Sequence, residues 1–187
     1  MVNASMDDRR DLGVEDGLSA DGLTLRWDHG LAIASLRYFD PAGSFAVEVG
    51  EVLGGPIPLP LRAHRRLLVT SELVLAWRSP TETLLLTADP SCIATVGAFA
   101  ATRLDGCLVD QTGGILSLVL SGARAPDLLS RLGSTDSIPA LGEARTSRLA
   151  ELSVTSLCTR PAEILLLVER VYVRHLVGWI RETVADF

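Results

Sequence analysis

The stretch Arg78-Ser79-Pro80-Thr81-Glu82-Thr83-Leu84-Leu85-Leu86 returns 81 positions later as Thr159-Arg160-Pro161-Ala162-Glu163-Ile164-Leu165-Leu166-Leu167. Pro80 answers to Pro161, Glu82 to Glu163, and the leucine triplets coincide. In each copy a β-rich run precedes the proline turn and a helical run follows the leucines. Leu73, Leu75 and Trp77 alternate with other residues at the period of a half-buried strand, whereas an unbroken leucine triplet suits a central strand. The pattern predicts strand-turn-strand-helix units over residues 71–103 and 149–184. It therefore predicts an α+β fold of antiparallel sheets with packed helices and ferredoxin-like pseudo-repeats, not a doubly wound sheet.

The expected elements extend outward from the repeat. Asp89-Pro90 opens a helix that runs to about Arg103, with Asp89 as its cap and Pro90 in the first turn. In the second copy, strands are expected at 147–158 and 163–169. The helix after them carries Val173, Leu176, Val177 and Ile180 at spacings of three and four. Towards the N-terminus, residues 23–39 read as a hairpin turning at Asp28-His29-Gly30, and residues 46–53 as another short strand. Cys107 to Asp110 and Ile115 to Leu120 read as strands on either side of Gly113-Gly114. Residues 125–132 read as a short helix stopped by a C-terminal glycine, Gly133. Residues 1–21, dominated by Asp7, Asp8, Asp11, Glu15, Asp16 and Asp21, read as a flexible acidic tail, either mobile or ordered by a partner, ahead of one domain over 22–187.

Composition excludes several functions. The net charge of −6 argues against a nucleic-acid partner, which calls for a basic face. All seventeen basic residues are arginine, so no Schiff-base lysine, lysine general base or phosphate-loop lysine exists. Charges interrupt every apolar run before the ~18–20 residues of a membrane span. The N-terminus soon reaches Asp7, Asp8, Arg9 and Arg10 without the apolar core of a secretion signal, so a cytoplasmic location is expected. A hydrophobic content of 48% suits either a large aliphatic core or a subunit with one face against a partner.

Motifs that carry chemistry are sparse. No GxGxxG, GxxxxGK or GxSxG spacing occurs. Cys92, Cys107 and Cys158 are widely separated and read as buried small apolar residues, and His29, His64 and His175 lack a partner at metal-ligand spacing. Glu82 and Glu163 are paired carboxylates by position, but matching places in a repeat imply matching structural duties. Arg160 and Arg170 suit an anion or a cross-sheet ion pair. Residues 54–62, Gly-Gly-Pro-Ile-Pro-Leu-Pro-Leu-Arg, form a proline-spaced connector with a polyproline-like path. Arg62, His64, Arg65 and Arg66 beside it are the one local basic cluster, open to an acidic partner, a phosphate or solvent. Trp27, Trp77 and Trp179 are the large anchors, and one of them is expected partly exposed at a partner contact.

Several segments in order resemble a known family. Val109-Asp110-Gln111-Thr112, then Leu118-Val119-Leu120-Ser121-Gly122-Ala123-Arg124-Ala125, then a Leu-Leu helix, Ile138-Pro139 and Gly142 resemble the glycine-cleavage aminomethyltransferase superfamily. The run Leu166-Leu167-Val168-Glu169-Arg170-Val171-Tyr172-Val173-Arg174-His175-Leu176-Val177-Gly178-Trp179, with Leu75-Ala76-Trp77-Arg78-Ser79-Pro80-Thr81-Glu82, narrows this to the gamma subunit of heterotetrameric sarcosine oxidase. The likeness spans about residues 56–184. Val171 departs from the family's Ser, Ser79 from a Gly and Thr83 from a Trp. The resemblance implies an aminomethyltransferase folate-binding-domain-like fold and a non-catalytic subunit in sarcosine or N-methyl amine catabolism. It implies no cofactor on this chain. Larger flavoprotein subunits would carry FAD, FMN, NAD and tetrahydrofolate, with residues 1–21 and 56–66 lying across a neighbour. In the folate-using relatives a catalytic Asp follows a Gly-Gly turn in an extra hairpin after the conserved glycine; here Gly142 leads straight into Glu143-Ala144-Arg145, and Asp110 alone survives of the pattern, as a turn cap. Two other readings stay open: a stand-alone tetrahydrofolate-binding relative, and a self-associating interaction module.

Overall fold

Leu84, Leu85 and Leu86 are all buried, as are Leu165, Leu166 and Leu167. Successive residues of a strand point to opposite faces, so each triplet lies in a strand covered on both sides. The computed structural model describes residues 17–20, 22–68 and 71–187, and the chain divides into two units. The first comprises residues up to His29 with 113–141 and 145–187; the second comprises 30–112 and 142–144.

In chain order the elements are β1 (Leu18–Ala20), β2 (Leu23–Asp28), β3 (Ala32–Tyr38), α1 (Ser44–Val52), β4 (Ala63–Leu67), β5 (Glu72–Ser79), β6 (Glu82–Thr87), α2 (Pro90–Ala100) and β7 (Gly106–Asp110). There follow β8 (Ile115–Ser121), α3 (Ala125–Leu132), β9 (Glu143–Leu149), β10 (Leu152–Arg160), β11 (Glu163–Glu169) and α4 (Val173–Ala185). Short 3-10 turns cover Thr135–Ser137 and Arg170–Tyr172.

The second unit holds a five-stranded sheet in the order β4-β5-β6-β3-β7. Its helices α1 and α2 bury Phe45, Val49, Ile93 and Val96 with Leu36, Leu75 and Leu85 of the sheet. The first unit holds the order β1-β2-β8-β11-β10-β9, and α3 and α4 bury Leu128, Leu129, Leu176 and Ile180 with Leu118 and Leu166. The middle leucine of each triplet thus faces the helices. The duplication is longer than the hairpins that reveal it: β3-α1-β4-β5-β6-α2 repeats as β8-α3-β9-β10-β11-α4. Four strands in each sheet, β7-β3-β6-β5 and β2-β8-β11-β10, take the ferredoxin-like order, with β4 and β9 added at one edge.

Both repeat hairpins keep the same register. Ser79 faces Glu82 and Arg160 faces Glu163 across the proline turns, and each ladder shifts just before that pair. Asp89 caps α2 by accepting from the Ser91 backbone N–H at 2.9 Å, and α2 ends at Ala100, short of Arg103.

Several local expectations change. Residues 46–52 belong to helix α1, with Leu53 as its C-cap, and not to a strand: Phe45, Ala46, Val49 and Gly50 are buried at helical spacing while Val47 is exposed. β2 and β3 follow each other through the expected turn but are not a hairpin; β2 pairs with β8, and β3 with β6 and β7. The expected strand over 147–158 is two strands, β9 and β10, joined by Ala150 and Glu151, both left-handed at φ 49° and 65°. Gly133 follows α3 with φ −155°, so its need is space and not handedness: a Cβ there would lie 2.4 Å from the Arg148 carbonyl oxygen. Of the acidic tail, residues 1–16 and Asp21 lie outside the described residues, while Leu18–Ala20 is a strand paired with β2.

Leu85→Ala and Leu166→Ala each remove a fully buried side chain and are expected to cost about 2–5 kcal/mol. Leu67→Ala, at a residue 84% exposed, is expected to stay within about 0.5 kcal/mol. Urea-unfolding midpoints of the three variants check this; equal shifts for all three would contradict the burial pattern.

Candidate functional site

Within the second unit, α1 starts at Ser44 behind Gly43, which has no side chain to cap it. The cap comes from sixty residues away. Asp105 accepts hydrogen bonds from Ser44 Oγ at 2.7 Å and from the Phe45 backbone N–H at 3.1 Å. Arg103 reaches Asp105 at 3.4 Å, Glu48 at 2.6 Å and Ser44 Oγ at 3.0 Å. These bonds, led by that from Ser44 and then Arg103, hold the Asp105 carboxyl at about 2, below its ordinary 3.8. A negative charge at a helix N-terminus is also favoured by the exposed amide N–H groups there.

The proline connector then runs back past α1. Arg66 of β4 donates to the carbonyl oxygens of Gly55 at 2.8 Å and Leu53 at 3.2 Å, and to that of Pro56. One guanidinium thus gathers three carbonyls of the connector, a use suited to its planar fork. Gly50 lets the connector pass α1, since a Cβ there would lie 2.9 Å from the Gly55 oxygen.

Between α1, the connector and the β5–β6 turn lies a groove of about 490 Å³. Pro41, Pro56, Pro58, Pro60 and Pro80 line it, with the rings of Tyr38 and Trp77. Helix α1 contributes Ala46, Val47 and Glu51. Tyr38 keeps its hydroxyl 2.8 Å from Thr83 Oγ1, and burial, foremost, pushes that hydroxyl above its ordinary 10.0. The volume falls within the ~300–1,000 Å³ of ligand clefts.

The basic cluster singled out in the sequence is not a free anion site. Arg62 lies 3.7 Å from Glu143, Arg65 pairs with Glu72, and Arg66 holds the connector. Burial, then Arg66 and Arg62, push the His64 imidazole below its ordinary 6.5, which leaves it neutral at neutral pH. His64, Arg65 and Arg66 lie on the edge strand β4, and Arg62 just precedes it. Glu82 and Glu163 perform matching structural duties. Glu82 lies 3.3 Å from Arg78 and 3.8 Å from Arg37; Glu163 lies 3.4 Å from Arg26 and 3.9 Å from Arg160. Asp110 accepts from the Thr112 N–H at 2.8 Å, the expected turn cap.

Cys92 and Cys158 are buried, and burial raises both thiols above their ordinary 9.0; Cys107 is exposed on β7, contrary to expectation. Among the described residues no three His, Cys, Asp or Glu side chains gather at a metal-binding distance, and no helix is long and apolar enough to cross a membrane. All three tryptophans are at least partly exposed, Trp179 on α4 the most, at 48%. The groove residues Tyr38, Glu51 and Val47 were not singled out from the sequence. Its proline spacing marked one wall, but reading α1 as a strand concealed the other.

The sequence matches no protein-family model and no curated protein. The structure does match. A chain of heterotetrameric sarcosine oxidase from Corynebacterium sp. U-96, solved with pyrrole 2-carboxylate, superposes with a TM-score of 0.80 at 21% identity, over 96% of this chain and 94% of that one. The two share one fold. Glycine cleavage system aminomethyltransferase T from Bartonella henselae gives 0.65 at 12% identity over 85% of this chain, which spans only 45% of that protein. The aminomethyltransferase-like α+β fold implied by the sequence resemblance is therefore the fold observed.

The depressed carboxyl of Asp105 has a consequence in acid. A folded-state value below the unfolded one adds stability above the ordinary 3.8, and that stability is lost as pH falls through about 2. Asp105→Asn is expected to make the loss of stability between pH 5 and 2 shallower than in the parent protein. Denaturation series across that range measure it, and identical slopes would remove Asp105 from the account.

Proposed function

We propose that the chain is a non-catalytic structural subunit of a sarcosine-oxidase-type complex, acting in the cytoplasm in the catabolism of sarcosine or another N-methyl amine. The observation that carries this reading is end-to-end correspondence with one chain of a heterotetrameric sarcosine oxidase, covering 96% of one and 94% of the other. The aminomethyltransferase, by contrast, has more than half its length unmatched. Larger flavoprotein subunits are the partners in this reading. They carry FAD, FMN, NAD and tetrahydrofolate, and this chain carries no cofactor.

Two further features support it. β9 begins at Glu143 directly after Gly142, so no hairpin intervenes where the resemblance places the folate-dependent proton acceptor. Glu48, Glu82, Glu163, Arg103, Asp105 and Asp110 are occupied in caps and ion pairs. On the partner side, Val171, Tyr172 and Trp179 are large exposed side chains at the start and on one face of α4, and exposed apolar groups of this kind suit a subunit contact.

The full chain purified alone is expected to oxidise no sarcosine and to give no signal in a tetrahydrofolate titration. Tagged and recovered from its own cells, it is expected to bring down flavin-bearing subunits with sarcosine-oxidising activity. One-carbon transfer, amine oxidation or folate binding by the isolated chain would overturn the reading. Trp179→Asp is expected to leave the urea midpoint within about 0.5 kcal/mol while abolishing that co-purification, because the ring is half exposed and its loss opens no cavity.

A further inference from the structure

We infer that the groove of the second unit is a binding site for an extended, proline-rich segment carrying a cationic side chain. Three observations converge on this ligand. Pro56, Pro58 and Pro60 form one wall at alternate positions, and proline has no backbone N–H. A strand ladders poorly onto such a wall, because every second backbone donor is absent. A polyproline-type segment loses nothing there, because its backbone makes no internal bonds and stays solvated. Trp77, partly exposed and backed by the buried Tyr38, supplies an aromatic surface on which a proline ring docks, the means by which aromatic-lined grooves take polyproline helices.

The charge is as informative as the shape. Glu51 is the only charged residue lining the groove, and among the described residues its carboxylate has no ion pair or side-chain hydrogen bond. Its neighbour along α1, Glu48, is taken by Arg103. A lone carboxylate on an otherwise apolar wall complements an arginine or lysine and opposes an acidic segment. Val47, half exposed on the same helix, completes the apolar floor without contributing to the core. The inference rests on the groove alone and holds whether or not the chain assembles with flavoprotein subunits.

The probe is an acetylated and amidated hexapeptide, PPLPPR, with PPLPPE as its counterpart, titrated into the full chain by calorimetry. The expected result is saturable binding of PPLPPR in the micromolar to submillimolar range and at least about fivefold weaker binding of PPLPPE. Glu51→Arg is expected to reverse that preference, and Val47→Asn, which removes apolar surface without adding charge, to weaken both peptides about fivefold; both sites are exposed, so the variants keep the fold. Three outcomes overturn the inference: no PPLPPR binding at 2 mM, equal affinity of both peptides for the parent and Glu51→Arg proteins, or binding indifferent to Val47→Asn. A concentration-dependent dimer of the chain that Val47→Asn disperses, without peptide binding, also overturns it, by making a second copy the occupant. Failure of the flavoprotein co-purification leaves these readouts untouched, so the two readings fail separately.

Discussion

Three consecutive buried leucines in a strand impose a condition on everything around them. Their side chains alternate between two faces, so neither face of β6 or β11 can be left to water. Burying a leucine side chain is worth roughly 1.5–3 kcal/mol, which exceeds most local preferences in the loops and helices nearby. Helices must therefore be supplied on the Leu85 and Leu166 side, and neighbouring strands must satisfy the backbone along both edges. Each unit meets the condition with the same order of elements. That is why a nine-residue echo in the sequence marks a duplication of roughly half the chain.

Where the packing demand and the local sequence disagree, packing prevails. Helix α1 shows this most clearly. Phe45, Val47, Val49 and Val52 are residues that favour strands, and Val47 and Val49 alternate with Glu48. Gly43 offers no cap. Yet the segment is a helix, because one turn-spaced set of side chains fills the layer over Leu36 and Leu75, and because Asp105 and Arg103 supply the missing capping groups. Those groups come from the stretch between α2 and β7, brought close by the pairing of β7 with β3.

The same distinction separates what was legible in the sequence from what was not. The hairpins around Pro80 and Pro161, the Asp89-Pro90 helix start, the amphipathic face of α4 and the turn cap at Asp110 all depend on residues within a few positions of one another, and each could be read directly. The placement of β2 beside β8 depends on residues some ninety positions apart, and nothing near β2 announces it. The left-handed pair Ala150-Glu151 carries none of the glycine or asparagine that marks such a turn, so two strands looked like one. The basic cluster was visible as charge, but its meaning lay in distant carbonyls and in Glu143, beyond the reach of local pattern. The groove depended on the same long-range closure, with one wall marked by prolines and the other misread.

The two copies also show where divergence was tolerated. The links from α1 to β4 and from α3 to β9, residues 53–62 and 133–142, are ten residues each and occupy corresponding places in the repeat. The first is Leu-Gly-Gly-Pro-Ile-Pro-Leu-Pro-Leu-Arg; the second is Gly-Ser-Thr-Asp-Ser-Ile-Pro-Ala-Leu-Gly, with a single proline and a 3-10 turn. The sheets they join kept their leucines, because changing those would open cavities in a core covered on both sides. The links carried no such constraint, and sites built on a rigid frame commonly reside in connections of this kind. A connector that needs a dedicated arginine to hold three of its carbonyls and a glycine on the adjoining helix to let it pass is more elaborate than joining two elements requires. The extra construction falls in the copy that forms the groove, and there the two halves of an otherwise repeated scaffold part in structure.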